Sequence, residues 1–109
     1  MALRLAWMRT KETTTPAIEA QVTELLEKLI AVPSYSREEE KAADIIRKFL
    51  KKEKIPFDTV ANNTWARNKH FNFLKPTILL NSHIDTVKPV QGWQRDPHQA
   101  EIIDGKLFG

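Results

Sequence analysis

Apolar residues recur at helical spacing at the start of the chain. Pro16 suits the first turn of a helix with Thr15 as its N-cap, and Pro33 disfavours helical geometry at Val32. The pattern therefore predicts a first helix over residues 16–32 with one apolar face. The residues of that face are Ile18, Val22, Leu25, Leu26, Leu29 and Ile30.

A second helical pattern begins after a short loop. Ser36 and Glu39 match the capping box, in which each side chain accepts a hydrogen bond from the backbone N–H of the other residue. Basic residues near Lys52 complement the dipole at the end of a helix, and Pro56 prevents its continuation. We therefore predict a second helix that ends near Lys52. Its buried face would consist of Ala42, Ala43, Ile45, Ile46, Phe49 and Leu50.

Short extended runs follow the helices. Residues 57–61 and 64–67 have the composition of two strands, and Asn62 with Asn63 indicates a turn or bulge between them. We expect these two strands to pair. Near the end of the chain, Asp104–Gly105 separates two further extended runs and favours a tight two-residue hairpin turn.

Residues 75–87 join an apolar run to a group of polar side chains. Residues 77–80 are Thr-Ile-Leu-Leu, which is typical of a strand covered on both faces. His83 and Asp85 follow two positions apart, so their side chains share a face while the chain stays extended. Functional groups of open α/β sheets collect at the carboxyl ends of strands, so the sequence predicts a site here.

Two interpretations of the His83 and Asp85 pair remain open at this point. A carboxylate can accept one ring N–H of an imidazole and leave the other nitrogen free to bind a metal ion. Zinc, however, usually takes three or four protein ligands, and a lone histidine after a strand is more often a capped surface residue. The pair alone does not decide between them.

The length and composition of the chain limit the functions that it could have. The 109 residues suffice for one small domain, which we place at residues 16–109 after a flexible N-terminal arm at residues 1–15. The chain has no cysteine, which excludes disulfides and thiolate metal sites and fits the reducing cytoplasm, where we expect the protein. A net charge of +3 raises the hypothesis of a basic nucleic-acid binder. It is the weaker hypothesis, because the cations concentrate at the predicted helix end.

A series of short motifs resembles the N-terminal part of the co-catalytic di-zinc amidohydrolases. This family includes acetylornithine deacetylase, succinyl-diaminopimelate desuccinylase, aminoacylase and the glutamate carboxypeptidases, and the first two look most similar. The likeness runs over residues 18–109. Its motifs are Val32-Pro33-Ser34, Asn63-Thr64-Trp65-Ala66, Ser82-His83-Ile84-Asp85-Thr86-Val87, Gly92-Trp93, Asp96-Pro97 and Asp104-Gly105-Lys106-Leu107-Phe108-Gly109.

The resemblance implies an α/β fold and a metal site. The fold would be a partial zinc-peptidase-like catalytic domain, with two N-terminal helices packed on a mixed and incomplete sheet. His83 would be a zinc ligand and Asp85 the catalytic carboxylate that contacts it. The family binds two zinc ions, and cobalt or manganese are alternatives. His70 and His98 are more typical of surface histidines than of further ligands, and His98 stands where the family often has an aromatic residue such as Phe.

The implied reaction is hydrolysis of the amide bond of an N-acyl amino acid, as in acetylornithine deacetylase of arginine or lysine biosynthesis. The family's other ligands and its glutamate base would lie beyond Gly109. We therefore expect the chain alone to be inactive, to bind zinc weakly and to associate with itself through an exposed strand edge. Nucleic acid and membrane are not expected partners. The alternatives are a metallo-carboxypeptidase or dipeptidase of the same family and a non-catalytic binding module.

Overall fold

The computed structural model describes residues 15–109. The predicted N-terminal arm lies outside the described residues, apart from Thr15. Within the described chain no helix is long and apolar enough to cross a bilayer. Its elements are α1 (Thr15–Ile30), α2 (Glu40–Lys52), β1 (Phe57–Val60), β2 (Asn63–Ala66), β3 (Glu101–Ile103) and β4 (Lys106–Phe108).

Helix α1 packs against α2. It ends at Ile30, two residues before the predicted end, and its last turn tightens as the Val32 N–H donates a 3.4 Å hydrogen bond to the carbonyl of Leu29. Part of the predicted apolar face stays uncovered by the described residues. Between 45% and 57% of the surface of three residues on it is exposed: Ile18, Val22 and Leu26.

Helix α2 supplies the most deeply buried apolar residues of the described chain, Ala42 and Ala43, each 1% exposed. Its predicted end is confirmed, because the helix stops at Lys52 in a Schellman motif. The Ile55 N–H donates to the carbonyl of Leu50 at 2.9 Å, and Lys54 adopts the left-handed conformation with φ of 56°.

The predicted capping box at the start of α2 is wrong. Glu39 occupies the N-cap position, and no side chain caps the helix. The chain passes through a left-handed residue at Arg37, with φ of 75°, and this turns the backbone N–H of Arg37 towards the Glu39 carboxylate. The N–H donates to Glu39 Oε1 at 2.5 Å. The Glu39 side chain thus accepts a bond from the residue two positions before it, whereas the capping box requires the residue three positions before it, Ser36.

The first hairpin confirms the predicted pairing of two strands. β1 and β2 are antiparallel, with Phe57 opposite Ala66 and Val60 opposite Asn63. The turn is one residue earlier than predicted and contains Ala61 in the left-handed region, with φ of 50°. Arg47 of α2 donates a 2.6 Å hydrogen bond to the carbonyl oxygen of Ala61, which ties this turn to the helix.

The predicted strand at residues 77–80 does not form in the described chain. Ile78, Leu79 and Leu80 are between 82% and 91% exposed, and residues 76–85 have no regular secondary structure. A strand needs a neighbour that satisfies its backbone N–H and C=O groups, and no described element lies beside this run. The expected mixed sheet is therefore wrong for the described residues, which form two separate antiparallel hairpins.

The second hairpin, β3 with β4, has the predicted tight turn. Asp104 and Gly105 both have positive φ, 50° and 72°, as the mirror-image hairpin turn requires. Gly109 follows β4 and lies against the end of α1, where a Cβ atom on the glycine would come 2.5 Å from Ile30 Cγ2. Gly109, which follows the second hairpin, thus packs against the C-terminal end of α1.

Candidate functional site

His83 and Asp85 lie side by side, as their spacing predicts. His83 Nδ1 is 3.0 Å from Asp85 Oδ1 and 2.9 Å from the backbone oxygen of the same residue. Both oxygens are acceptors, so Nδ1 is protonated and donates to them, and in the neutral ring Nε2 carries the lone pair. The His83 side chain is 84% exposed. The arrangement is therefore an imidazole oriented by a carboxylate, with the opposite nitrogen free to act as a ligand.

The loop between the two helices fixes this pair. Ser34 is 2% exposed, and its Oγ donates a 2.8 Å hydrogen bond to the carbonyl oxygen of Ile84. The Thr86 N–H donates to the carbonyl oxygen of Ser34, also at 2.8 Å. The two bonds hold the backbone on both sides of Asp85. The sequence marked Ser34 only as part of the Val32-Pro33-Ser34 motif and predicted no role for its side chain, since that role depends on contacts distant in sequence.

An open cleft of about 780 Å³ lies beside the pair. It is bounded by the end of α1, the loop after it and the irregular chain on both sides of Trp93. The wall is mostly apolar, with several polar and aromatic side chains. Besides His83 and Asp85, these include Tyr35, Glu38, Lys88, Trp93 and His98. The candidate ligand pair therefore faces a space large enough for a small organic molecule.

Glu39 lines a second cleft, which His83 and Asp85 also border. Its pKa is lowered, first because its carboxylate accepts the backbone N–H of Arg37 and further because Asn62 Nδ2 donates to it at 3.0 Å. The carboxylate is thus held in its charged form near the start of α2. These bonds connect the α2 start to the turn between β1 and β2.

The two other histidines occupy different surroundings. His98 is half-buried in the cleft, where Nε2 lies 3.3 Å from the Tyr35 hydroxyl and Nδ1 lies 3.4 Å from the carbonyl oxygen of Ile30. His70 is exposed in the connection between β2 and the extended chain, outside this cleft. Neither joins His83 and Asp85, because residues 15–109 contain no group of three potential metal ligands.

The described residues therefore fit one part of a zinc site. His83 and Asp85 have the donor chemistry of a first ligand with its orienting carboxylate. A complete site needs three or four protein ligands, and the part of the chain that the structure describes does not bring that number together. Any further ligands would have to come from outside the described residues.

Known proteins that are similar to this chain in sequence belong to the family that the motifs indicate. No family model matches the chain. The chain is 35% identical over 90 residues to a succinyl-diaminopimelate desuccinylase of Aliarcobacter butzleri, which covers 79% of this chain and 24% of that protein. It is 38% identical over 96 residues to a protein of the same name from Buchnera aphidicola subsp. Acyrthosiphon pisum, covering 81% and 24%. A Wolinella succinogenes protein, also of that name, is 29% identical over 99 residues, covering 84% and 25%.

The predicted resemblance to this group of hydrolases is confirmed. The similarity extends over about four fifths of the chain, in keeping with the N-terminal part of such a hydrolase. The chain spans about a quarter of the length of the curated relatives it matches. The relatives' name describes a hydrolase that removes a succinyl group from diaminopimelate.

Proposed function

We propose that the chain is the N-terminal portion of a metal-dependent amidohydrolase that cleaves the amide bond of an N-acyl amino acid. His83 would be a metal ligand and Asp85 the carboxylate that orients it. The observation that carries this proposal is the contact of Asp85 with His83 Nδ1, which leaves Nε2 free. The similarity to succinyl-diaminopimelate desuccinylases supplies the reaction class.

Asp85 has a defined task in this proposal. Its carboxylate holds the proton on Nδ1, fixes the ring orientation and raises the basicity of Nε2. Zinc is the proposed metal, with cobalt or manganese as alternatives, and when bound it would polarise an amide carbonyl and lower the pKa of a bound water. Ser34 supports the pair through its hydrogen bonds to the backbone at Ile84 and Thr86.

The isolated chain is proposed to be inactive. His83 supplies one imidazole, and a single ligand does not hold zinc in the three- or four-ligand arrangement of catalytic sites. Hydrolysis would therefore need ligands and a general base from additional polypeptide.

The substrate is proposed to be an N-succinyl amino acid such as N-succinyl-diaminopimelate. The sequence motifs predicted an acetylornithine deacetylase-like activity, and the relatives' names favour the succinyl compound. Acetylornithine remains the second candidate. Both reactions break the same type of amide bond, so the proposed roles of His83 and Asp85 do not depend on this choice.

A chimeric enzyme tests the proposal. The matched part of this chain replaces the corresponding quarter of the Aliarcobacter butzleri protein, and hydrolysis of N-succinyl-diaminopimelate and N-acetylornithine is measured with and without zinc. We expect zinc-dependent hydrolysis by the chimera and no hydrolysis by the isolated chain. His83→Ala should reduce the activity at least ~100-fold, whereas the matched control His70→Ala should leave it unchanged. A folded chimera that stays fully active with His83→Ala would refute the metal-ligand role.

A further inference from the structure

Three side chains from three separate loops meet in the cleft that contains the His83 and Asp85 pair. Tyr35 lies at their centre, in the loop between α1 and α2. The Lys88 Nζ atom is 5.5 Å from the centroid of the Tyr35 ring, and His98 Nε2 is 3.3 Å from the Tyr35 hydroxyl oxygen. We infer that Tyr35, Lys88 and His98 form a subsite that binds a carboxylate group, and we call this group of residues the cationic cluster.

The positions of the cluster residues are fixed by the surrounding backbone. Tyr35 forms a parallel β-bridge with Thr86, which lies two residues before Lys88. The backbone N–H of His98 donates to Asp96 Oδ1 at 2.9 Å, and its ring Nδ1 donates to the carbonyl oxygen of Ile30. With Nδ1 protonated, Nε2 accepts the Tyr35 hydroxyl or, in the imidazolium, donates to it. His98 thus orients the Tyr35 hydroxyl within the cleft.

The charge of the cluster favours an anion. Among residues 15–109, no carboxylate lies within 4.0 Å of the Lys88 ammonium group, so its three N–H donors are free of ion-pair partners there. Two carboxylates line the same cleft, and neither forms an ion pair with Lys88: Asp85 is hydrogen-bonded to His83, and Glu38 lies more than 4.0 Å from the Lys88 ammonium group. The Lys88 ammonium group, which lies over the Tyr35 ring, can therefore donate charge-assisted hydrogen bonds to a carboxylate, while Tyr35 and His98 hold each other in place beside it.

The rest of the cleft wall suits the methylene groups of a ligand that would carry this carboxylate. Val87, Trp93 and Pro97 line the same space and supply apolar surface. A succinyl group has two methylene groups between its acyl carbonyl and a free carboxylate, whereas an acetyl group has only a methyl group after its carbonyl. The cluster would therefore favour binding of a succinyl group over an acetyl group. This choice of ligand depends on the proposed function, but binding of an anion to the cluster does not.

The test uses the metal-free chain, labelled with ¹⁵N and kept in a chelator, and records its amide spectrum during titration with succinate. We expect saturable shifts at Tyr35, Lys88 and His98, with a dissociation constant on the order of 1 mM. Succinamide, which has the same shape without the charge, should cause none. Lys88→Gln should weaken succinate binding at least about fivefold, because an exposed charged partner is lost. Lys88→Arg should retain binding, and the control Lys106→Gln, outside the cleft, should not change it.

Two further variants separate this inference from the proposed function. His98→Phe keeps an aromatic ring but removes both hydrogen bonds of the imidazole, and it should weaken succinate binding. His83→Ala should leave succinate binding unchanged. An absence of saturable shifts, equal binding of succinamide, or equally tight binding of inorganic phosphate would overturn the carboxylate subsite. Each of these results would leave the metal-ligand proposal for His83 standing.

Discussion

Ser34 Oγ donates a 2.8 Å hydrogen bond to the carbonyl oxygen of Ile84, the residue between His83 and Asp85. The two residues are 50 positions apart in the chain, and Ser34 is almost completely buried. The orientation of the candidate ligand pair therefore depends on how the loop between the helices closes over the extended chain.

Removal of the Ser34 hydroxyl should destabilise the protein. Ser34→Ala leaves the Ile84 carbonyl without its buried donor, and we expect a loss of about 1–2 kcal/mol in the free energy of unfolding. Urea denaturation measures this loss. Ser36→Ala is the matched control, because Ser36 is exposed and should change the free energy by less than ~0.5 kcal/mol. Equal effects of the two substitutions would show that the bond contributes nothing.

Glycine at position 54 should stabilise the protein. Lys54 adopts a φ of 56° at the end of α2, in a conformation that costs a residue with a Cβ about 1–2 kcal/mol relative to glycine. Lys54→Gly should therefore raise the free energy of unfolding by about 1 kcal/mol, with part of the gain offset by the greater entropy of the unfolded chain. Lys48→Gly, at an exposed position inside α2, should instead lower it by about 1 kcal/mol. A loss of stability with Lys54→Gly would contradict the Schellman geometry.

The Glu39 carboxylate should make stability depend on pH. Its pKa in the folded chain lies below the ordinary value of 4.5, chiefly because the backbone N–H of Arg37 donates to it. A lowered folded pKa gives stability that is present above the unfolded value and is lost as the pH falls through the folded value. Wild type should thus lose more thermal stability below pH 4.5 than Glu39→Gln does. Parallel melting curves for the two proteins across this range would count against the prediction.

Copies of the chain are proposed to associate through residues 76–80. Ile78, Leu79 and Leu80 are each more than 80% exposed, and the backbone beside them has no strand partner among the described residues. Pairing with the same segment of a second copy would satisfy the backbone and bury these side chains. Light scattering should show association that increases with concentration and decreases with Leu80→Lys. Val90→Lys, at an exposed position outside the segment, is the control, and a monomer at all concentrations would refute the proposal.

The elements predicted correctly are those that local residues determine. Pro56 and the basic turn before it identified the end of α2, and Asp104 with Gly105 identified the second hairpin. The strand at residues 77–80 was predicted from its apolar composition. Composition indicates that a segment can be buried in a sheet but does not supply the neighbouring strand, and no neighbour is present in the described chain.

The candidate site was predictable to a similar extent. The spacing of His83 and Asp85 was enough to predict that their side chains lie together, because residues two apart share a face of an extended chain. Tyr35 and Lys88 gave no comparable signal, and Ser34 appeared only within a motif of the family resemblance. Their roles arise from loops that meet in space, such as the contact of Tyr35 with His98 across 63 positions.

A zinc titration of the chain with ¹⁵N-labelled histidines, read at the imidazole nitrogens, tests the role of His83 most directly. We expect His83 to be protonated at Nδ1 before zinc is added and its Nε2 resonance to shift with weak affinity as zinc binds. His83→Ala should remove this response. A His83 ring protonated at Nε2, or zinc binding that shifts His70 or His98 and leaves His83 unchanged, would contradict the assignment of His83 as a metal ligand.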